Sequence, residues 1–245
     1  MPTISDVITT PDGDCSVTLS TPEGTGPWPG VVMYPDAGGA RSVIREMAER
    51  LATHGYAVLV PDIYYRNGEW APFDITTAFT DPDERTRLFS MMRAVTPDVM
   101  AADATAFFDY LESRPEVSGT AFGTTGYCMG GRTSLVVAGR VPDRVAAAMS
   151  FHGGGLASDD PGSPHLLADR IRAAVHVAGA ENDQSFTAEQ AETLDKALTA
   201  AGVDHTVEFY AAAHGFAVPD NTTYDESAAQ RHWTATKDFF GTHLT

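Results

Sequence analysis

Short apolar runs bounded by glycine and proline alternate along this chain with longer stretches whose apolar positions recur at helical spacing. The short runs suit strands, and the longer ones suit helices that bury one stripe. The strand candidates are Gly30–Tyr34, Ala57–Val60, Thr120–Thr125, Ala146–Phe151, Ala173–Ala178 and His205–Tyr210. Between them lie helix candidates at Ser42–Thr53, Pro97–Ser113, Gly131–Arg140, Ala188–Ala201 and Ser227–Phe240. A hairpin turning at Pro11-Asp12-Gly13-Asp14 is expected ahead of them. This β-α-β order predicts an α/β fold, a mostly parallel sheet with helices on both faces. The section from Tyr64 to Thr96 reads as one long irregular connection carrying Asp81-Pro82-Asp83-Glu84-Arg85-Thr86-Arg87. Connections of that length commonly serve a site; a solvated helix start with local ion pairs is the other reading of the same window.

Composition narrows the class. With 245 residues, 43% of them hydrophobic, the chain can bury a full core as one domain spanning 1–245. Sixteen Lys and Arg against 33 Asp and Glu leave a formal charge of −17. Such a surface repels nucleic acid and anionic bilayers, so the expected partner is a small molecule; composition carries no reading of oligomeric state. No basic start leads into an apolar run, and no apolar stretch approaches membrane-spanning length, so a cytoplasmic location is expected. The two cysteines, Cys15 and Cys128, suggest no disulfide framework and are judged as free thiols.

One of those thiols sits in Gly126-Tyr127-Cys128-Met129-Gly130-Gly131, after a strand candidate and at the start of a helix candidate. In α/β-hydrolases this G-x-nucleophile-x-G turn is so tight that flanking side chains would collide, which is why glycines stand there. Cys128 would then take the nucleophile's place, and the other reading is a small buried apolar residue. An unperturbed thiol, with a pKa of about 8.5, needs a base nearby at neutral pH. Of the eight histidines, His214 lies beyond the last strand candidate and before the last helix, where this fold places its base. The acid should come between them in a post-strand loop. Gly179-Ala180-Glu181-Asn182-Asp183 supplies Asp183, with Glu181 as the alternative and a turn carboxylate as the bland reading. Donors for a developing oxyanion are expected from the Met129 amide and from the Ala37 amide in Pro35-Asp36-Ala37-Gly38-Gly39. Phe151-His152-Gly153-Gly154-Gly155 imitates a lipase oxyanion sequence but follows the nucleophile, so it is read as a flexible loop lining the pocket.

These motifs, together with Gly55-Tyr56-Ala57, Pro61-Asp62-Ile63-Tyr64 and Asp83-Glu84-Arg85, resemble the dienelactone hydrolases, or carboxymethylenebutenolidases, along nearly the whole chain. The resemblance implies a Cys128, His214 and Asp183 triad, no metal, no organic cofactor, and hydrolysis of a small lactone or ester through an acyl-cysteine. It also implies a glutamate that activates the thiol, where this chain has Asp36, and two arginines that grip a substrate carboxylate. Arg87 matches one of these; the other position, four residues after His214, is Val218. Losing that second grip favours a broader carboxylesterase or thioesterase. A redox-sensing thiol on an inactive scaffold and a non-catalytic binding module are the readings from other classes.

Overall fold

The computed structural model describes residues 1–244. Eight strands form one sheet in the order β1-β2-β4-β3-β5-β6-β7-β8. β1 (Thr3–Thr10) and β2 (Gly13–Ser20) make the expected hairpin, and β2 lies antiparallel to β4 (Ala57–Pro61). From β4 onward the pairing is parallel, through β3 (Trp28–Tyr34), β5 (Val117–Gly126), β6 (Val145–Phe151), β7 (Ala174–Asn182) and β8 (His205–Ala213). The chain therefore has the α/β-hydrolase fold expected from its pattern.

Successive side chains of a strand point to opposite faces, and β3 shows how that divides the core. Val32 and Tyr34 enter one apolar cluster; Val31 and Met33 enter the other. The first cluster is covered by α3 (Pro97–Ser113), α4 (Met129–Arg140) and α5 (Ala188–Ala201), the second by α1 (Ser42–Ala52) and α6 (Glu226–His243). Among the described residues no helix is long and apolar enough to cross a membrane.

In one window the structure decides between the two readings, in favour of the helix start with a local ion pair. The section expected to be irregular contains α2, Pro82–Ala94. Asp81 caps it by accepting from the Asp83 and Glu84 amides, and Pro82 opens its first turn. Only Leu88 and Met91 are buried on it, so the apolar stripe was too thin to register as helical period.

Candidate active site

Five loops leave the carboxyl ends of β3, β5, β6, β7 and β8 and bring Asp36, Cys128, His152, Asp183 and His214 to one edge of the sheet. That edge is where open parallel sheets gather their ligand sites.

Cys128 stands between β5 and α4 with φ 53° and ψ −116°. The flanking glycines allow it: a Cβ on Gly126 would lie 2.2 Å from the Gly130 carbonyl oxygen, and one on Gly130 would lie 2.2 Å from that of Tyr34. No side chain fits at either position, as the motif implied. Met129 opens α4, so its amide has no acceptor within the helix and faces the cleft beside the thiol. Ala37 borders the same cleft, and its own carbonyl is held by the Tyr64 hydroxyl at 2.9 Å.

Asp183, at the end of β7, is paired with His214: its Oδ2 lies 2.6 Å from Nδ1. Its Oδ1 accepts the amide and hydroxyl hydrogens of Ser185, both at 2.7 Å. Burial pulls this carboxyl upward, but the hydrogen bonds from His214 and Ser185 outweigh it and hold Asp183 below its usual range. Burial also opposes charge on His214, yet hydrogen bonds to Asp183 and Cys128 and their negative charges raise the imidazole to about 10. Asp183 thus pairs with the imidazole, and the imidazole and the thiol line one cavity. Glu181 is exposed on the rim, so the buried partner of the ring is Asp183.

Three expectations are corrected. Asp36 is turned away from thiol activation: it is almost fully buried, accepts from Gly38, and forms a two-pronged ion pair with Arg41 at 2.6 and 3.0 Å. Arg41 extends this by gripping Asp220 through Nε and Nη2, both at 2.7 Å. The hydrogen bonds that Asp36 makes are thus with Arg41 and the Gly38 amide, while it lines one recess with Cys128. Arg87 does not line the cavity. It pairs with Glu84 one turn earlier, donates to the Ala71 carbonyl and lies over the Phe73 ring. Val218 is fully buried in the core that α6 covers, so the position of the missing second arginine does not face the cleft.

One residue at the site carried no expectation of a role, and one was expected only as part of a flexible loop lining the pocket. Arg132, one helical turn beyond Cys128, lines the cavity and donates to the carbonyls of Gly155 and Gly162 and to Asp160. The i to i+4 relation to Cys128 was readable in the sequence. His152 was read as part of a flexible loop, yet it is buried and hydrogen-bonded to the Cys128 amide.

The cavity beside Cys128 measures about 560 Å³. Ile75, Phe79 and Met92 roof it, so the Tyr64–Thr96 section does serve the site, through apolar side chains rather than Arg87. Arg132 and His214 are the charged or titratable groups on its wall besides the thiol, and no carboxylate lines it. Among the described residues no group of His, Cys, Asp and Glu is arranged to hold a metal ion.

Known proteins resemble this chain in sequence and fold. A Synechocystis sp. (strain ATCC 27184 / PCC 6803 / Kazusa) protein named "Putative carboxymethylenebutenolidase" is 28% identical over 230 residues, covering 92% of this chain and 91% of that one. "Protein usf" of Aquifex pyrophilus is 28% identical over 232 residues, 93% of each chain. The crystal structure of a dienelactone hydrolase-like promiscuous phosphotriesterase from metagenomic libraries superposes with a TM-score of 0.79 at 28% identity, covering 100% of both chains. The family model for dienelactone hydrolases runs from residue 15, in the second strand of the hairpin, to residue 244 at the end of the described chain. By that match the chain belongs to the dienelactone hydrolase family, and it is a hydrolase of that type.

Proposed function

We propose that this protein hydrolyses small lactones or esters with Cys128 as nucleophile, His214 as base and Asp183 as the group that orients the ring. The observation that carries the reading is the position of His214, fixed on Asp183 through Nδ1 and set on the same cavity wall as Cys128. The Cys128 sulfur, its proton passed to His214, attacks the acyl carbon, and the tetrahedral oxyanion rests on the Met129 and Ala37 amides. Collapse breaks the ester C–O bond, and the leaving alkoxide takes the proton from His214. Water then gives a proton to His214 and attacks the acyl-cysteine. The thiolate leaves and is reprotonated, and the carboxylic acid is released. In a lactone both products stay in one molecule, a hydroxy acid.

Hydrolysis of p-nitrophenyl acetate and of a lactone panel by wild type and Cys128→Ala tests this. We expect the alanine variant to stay folded and lose turnover, with a trapped acyl group located on Cys128 of the wild type by mass spectrometry. Wild-type turnover in Cys128→Ala would overturn the assignment. A redox-sensing thiol on an inactive scaffold would give neither burst nor turnover with these substrates. An aryl phosphotriester belongs in the panel, because the metagenomic relative is described as a promiscuous phosphotriesterase.

A further inference from the structure

Two residues other than glycine adopt positive φ among the described residues: Cys128 at 53° and His152 at 39°. Such backbone is costly for a side chain that branches into the neighbouring turn, and it persists where the surroundings force it. The two are in direct contact. The Cys128 amide hydrogen is shared between the Phe151 carbonyl and His152 Nδ1, both at 3.1 Å. In turn, the His152 amide is tied to the Ala178 carbonyl at 2.8 Å, so the two strained residues are stitched to the end of β6 and the middle of β7.

We propose that His152 is a positioning residue for the nucleophile: a neutral imidazole with its proton on Nε2, whose Nδ1 accepts the Cys128 amide hydrogen and holds the thiol toward His214. The inference rests on Cys128 being the nucleophile. The tautomer follows from the contact, since a nitrogen that accepts from N–H carries no proton. Holding the Cys128 amide against β6 also separates it from the next amide, that of Met129, which is left for substrate.

The ring's surroundings keep it out of proton transfer. It is 1% exposed and packs edge to face on His214 and Phe216, with ring centroids 5.1 and 5.0 Å away. Tyr127 lies on another side at 6.0 Å. Burial is the largest influence and disfavours its charged form; His214 and His232 add to that effect, and Asp183 opposes it without prevailing. Asp36 shares the recess but is engaged by Arg41. A second charged ring against His214 would weaken the His214 imidazolium, so a neutral one suits the site.

The test uses the whole protein. Spectra of ¹⁵N-histidine-labelled wild type, with His152 identified by its loss in His152→Asn, should show Nδ1 unprotonated and Nε2 protonated from about pH 6 to about pH 9. A proton on Nδ1, or titration within that span, overturns the proposal whatever any variant does. His152→Phe keeps a ring and removes the acceptor, whereas the side-chain oxygen of His152→Asn can replace Nδ1 on a residue type that tolerates positive φ. With p-nitrophenyl acetate, loss of one positioning hydrogen bond should lower kcat of the phenylalanine variant about tenfold with KM nearly unchanged. The asparagine variant should stay within about threefold of wild type. Wild-type kcat in folded His152→Phe, or an equal fall in folded His152→Asn, sinks the idea. Turnover surviving in Cys128→Ala would instead sink the nucleophile assignment, on which the histidine tautomer has no bearing.

Discussion

At the scale of single residues, Asp183 and His214 carry a pH signature. Asp183 sits below its ordinary range, so its contribution to stability is present above about pH 4 and is lost as pH falls through its lowered folded value. His214 is raised to about 10, so its contribution is complete below an unfolded value of about 6.5 and fades as pH rises toward that folded value. The pair therefore stabilises the fold most between about pH 4 and about pH 6.5. Asp183→Asn should melt below wild type in that window, and the gap should close as pH approaches 10. A gap constant from pH 5 to pH 10 would show that His214 is not held charged by this carboxylate. In kinetics, His214→Ala and Asp183→Asn should each lower kcat by on the order of 10³-fold or more, while Glu181→Gln, on an exposed side chain, should be silent. An active Asp183→Asn alongside an inactive Glu181→Gln would move the acid to Glu181.

At the scale of elements, the Asp36–Arg41–Asp220 pairing is a clamp between the loop after β3 and the loop that follows His214. Removing Arg41 strands a buried carboxylate, so Arg41→Ala should cost on the order of 3 kcal/mol. Because the loop it releases carries Ala37, kcat should fall as well; a stable, fully active variant would mean that the clamp positions nothing. This pairing was not legible in the sequence. It joins residues 36 and 220 across the chain, and the resemblance had given Asp36 another partner. The sheet strands were legible because each is a short apolar run between glycines and prolines, and the elbow because two glycines at fixed offsets admit one geometry. α2 was legible only as one of two readings, since it buries two side chains and lies mostly in solvent. Arg87 shows a related limit: its charge was visible, but its direction depends on which of the two readings of that window holds, and the helix pairs it with Glu84. His152 was misjudged because three following glycines imply mobility, whereas tertiary contacts pin the residue before them.

At the scale of the whole molecule, a chain of net charge −17 encloses a cavity whose wall carries Arg132 and His214 and no carboxylate. The surface and the site thus differ in sign. Burial disfavours the charged form of Arg132, and the exposed carboxylate of Asp160, at 3.3 Å, favours it. A substrate carboxylate inside the cavity would do the same from the other side. Arg132→Leu should lower the ratio of kcat/KM for a carboxylated ester to that for its neutral methyl ester by about tenfold or more. An unchanged ratio would assign Arg132 solely to bracing the loop at Gly155–Gly162.

The second cysteine gives the folded molecule an internal clock. Cys15, on β2, is wholly enclosed, donates to the Asp62 carbonyl at 3.4 Å, and is pushed by burial to about 12. Cys128 borders an open cavity. In an alkylation time course the first equivalent of reagent should therefore land on Cys128 and track the state of the cleft. The second should wait for the hairpin to leave the sheet and report how often it does so. Two equivalents consumed at one rate, in protein that has not unfolded, would show that the hairpin does not seal Cys15.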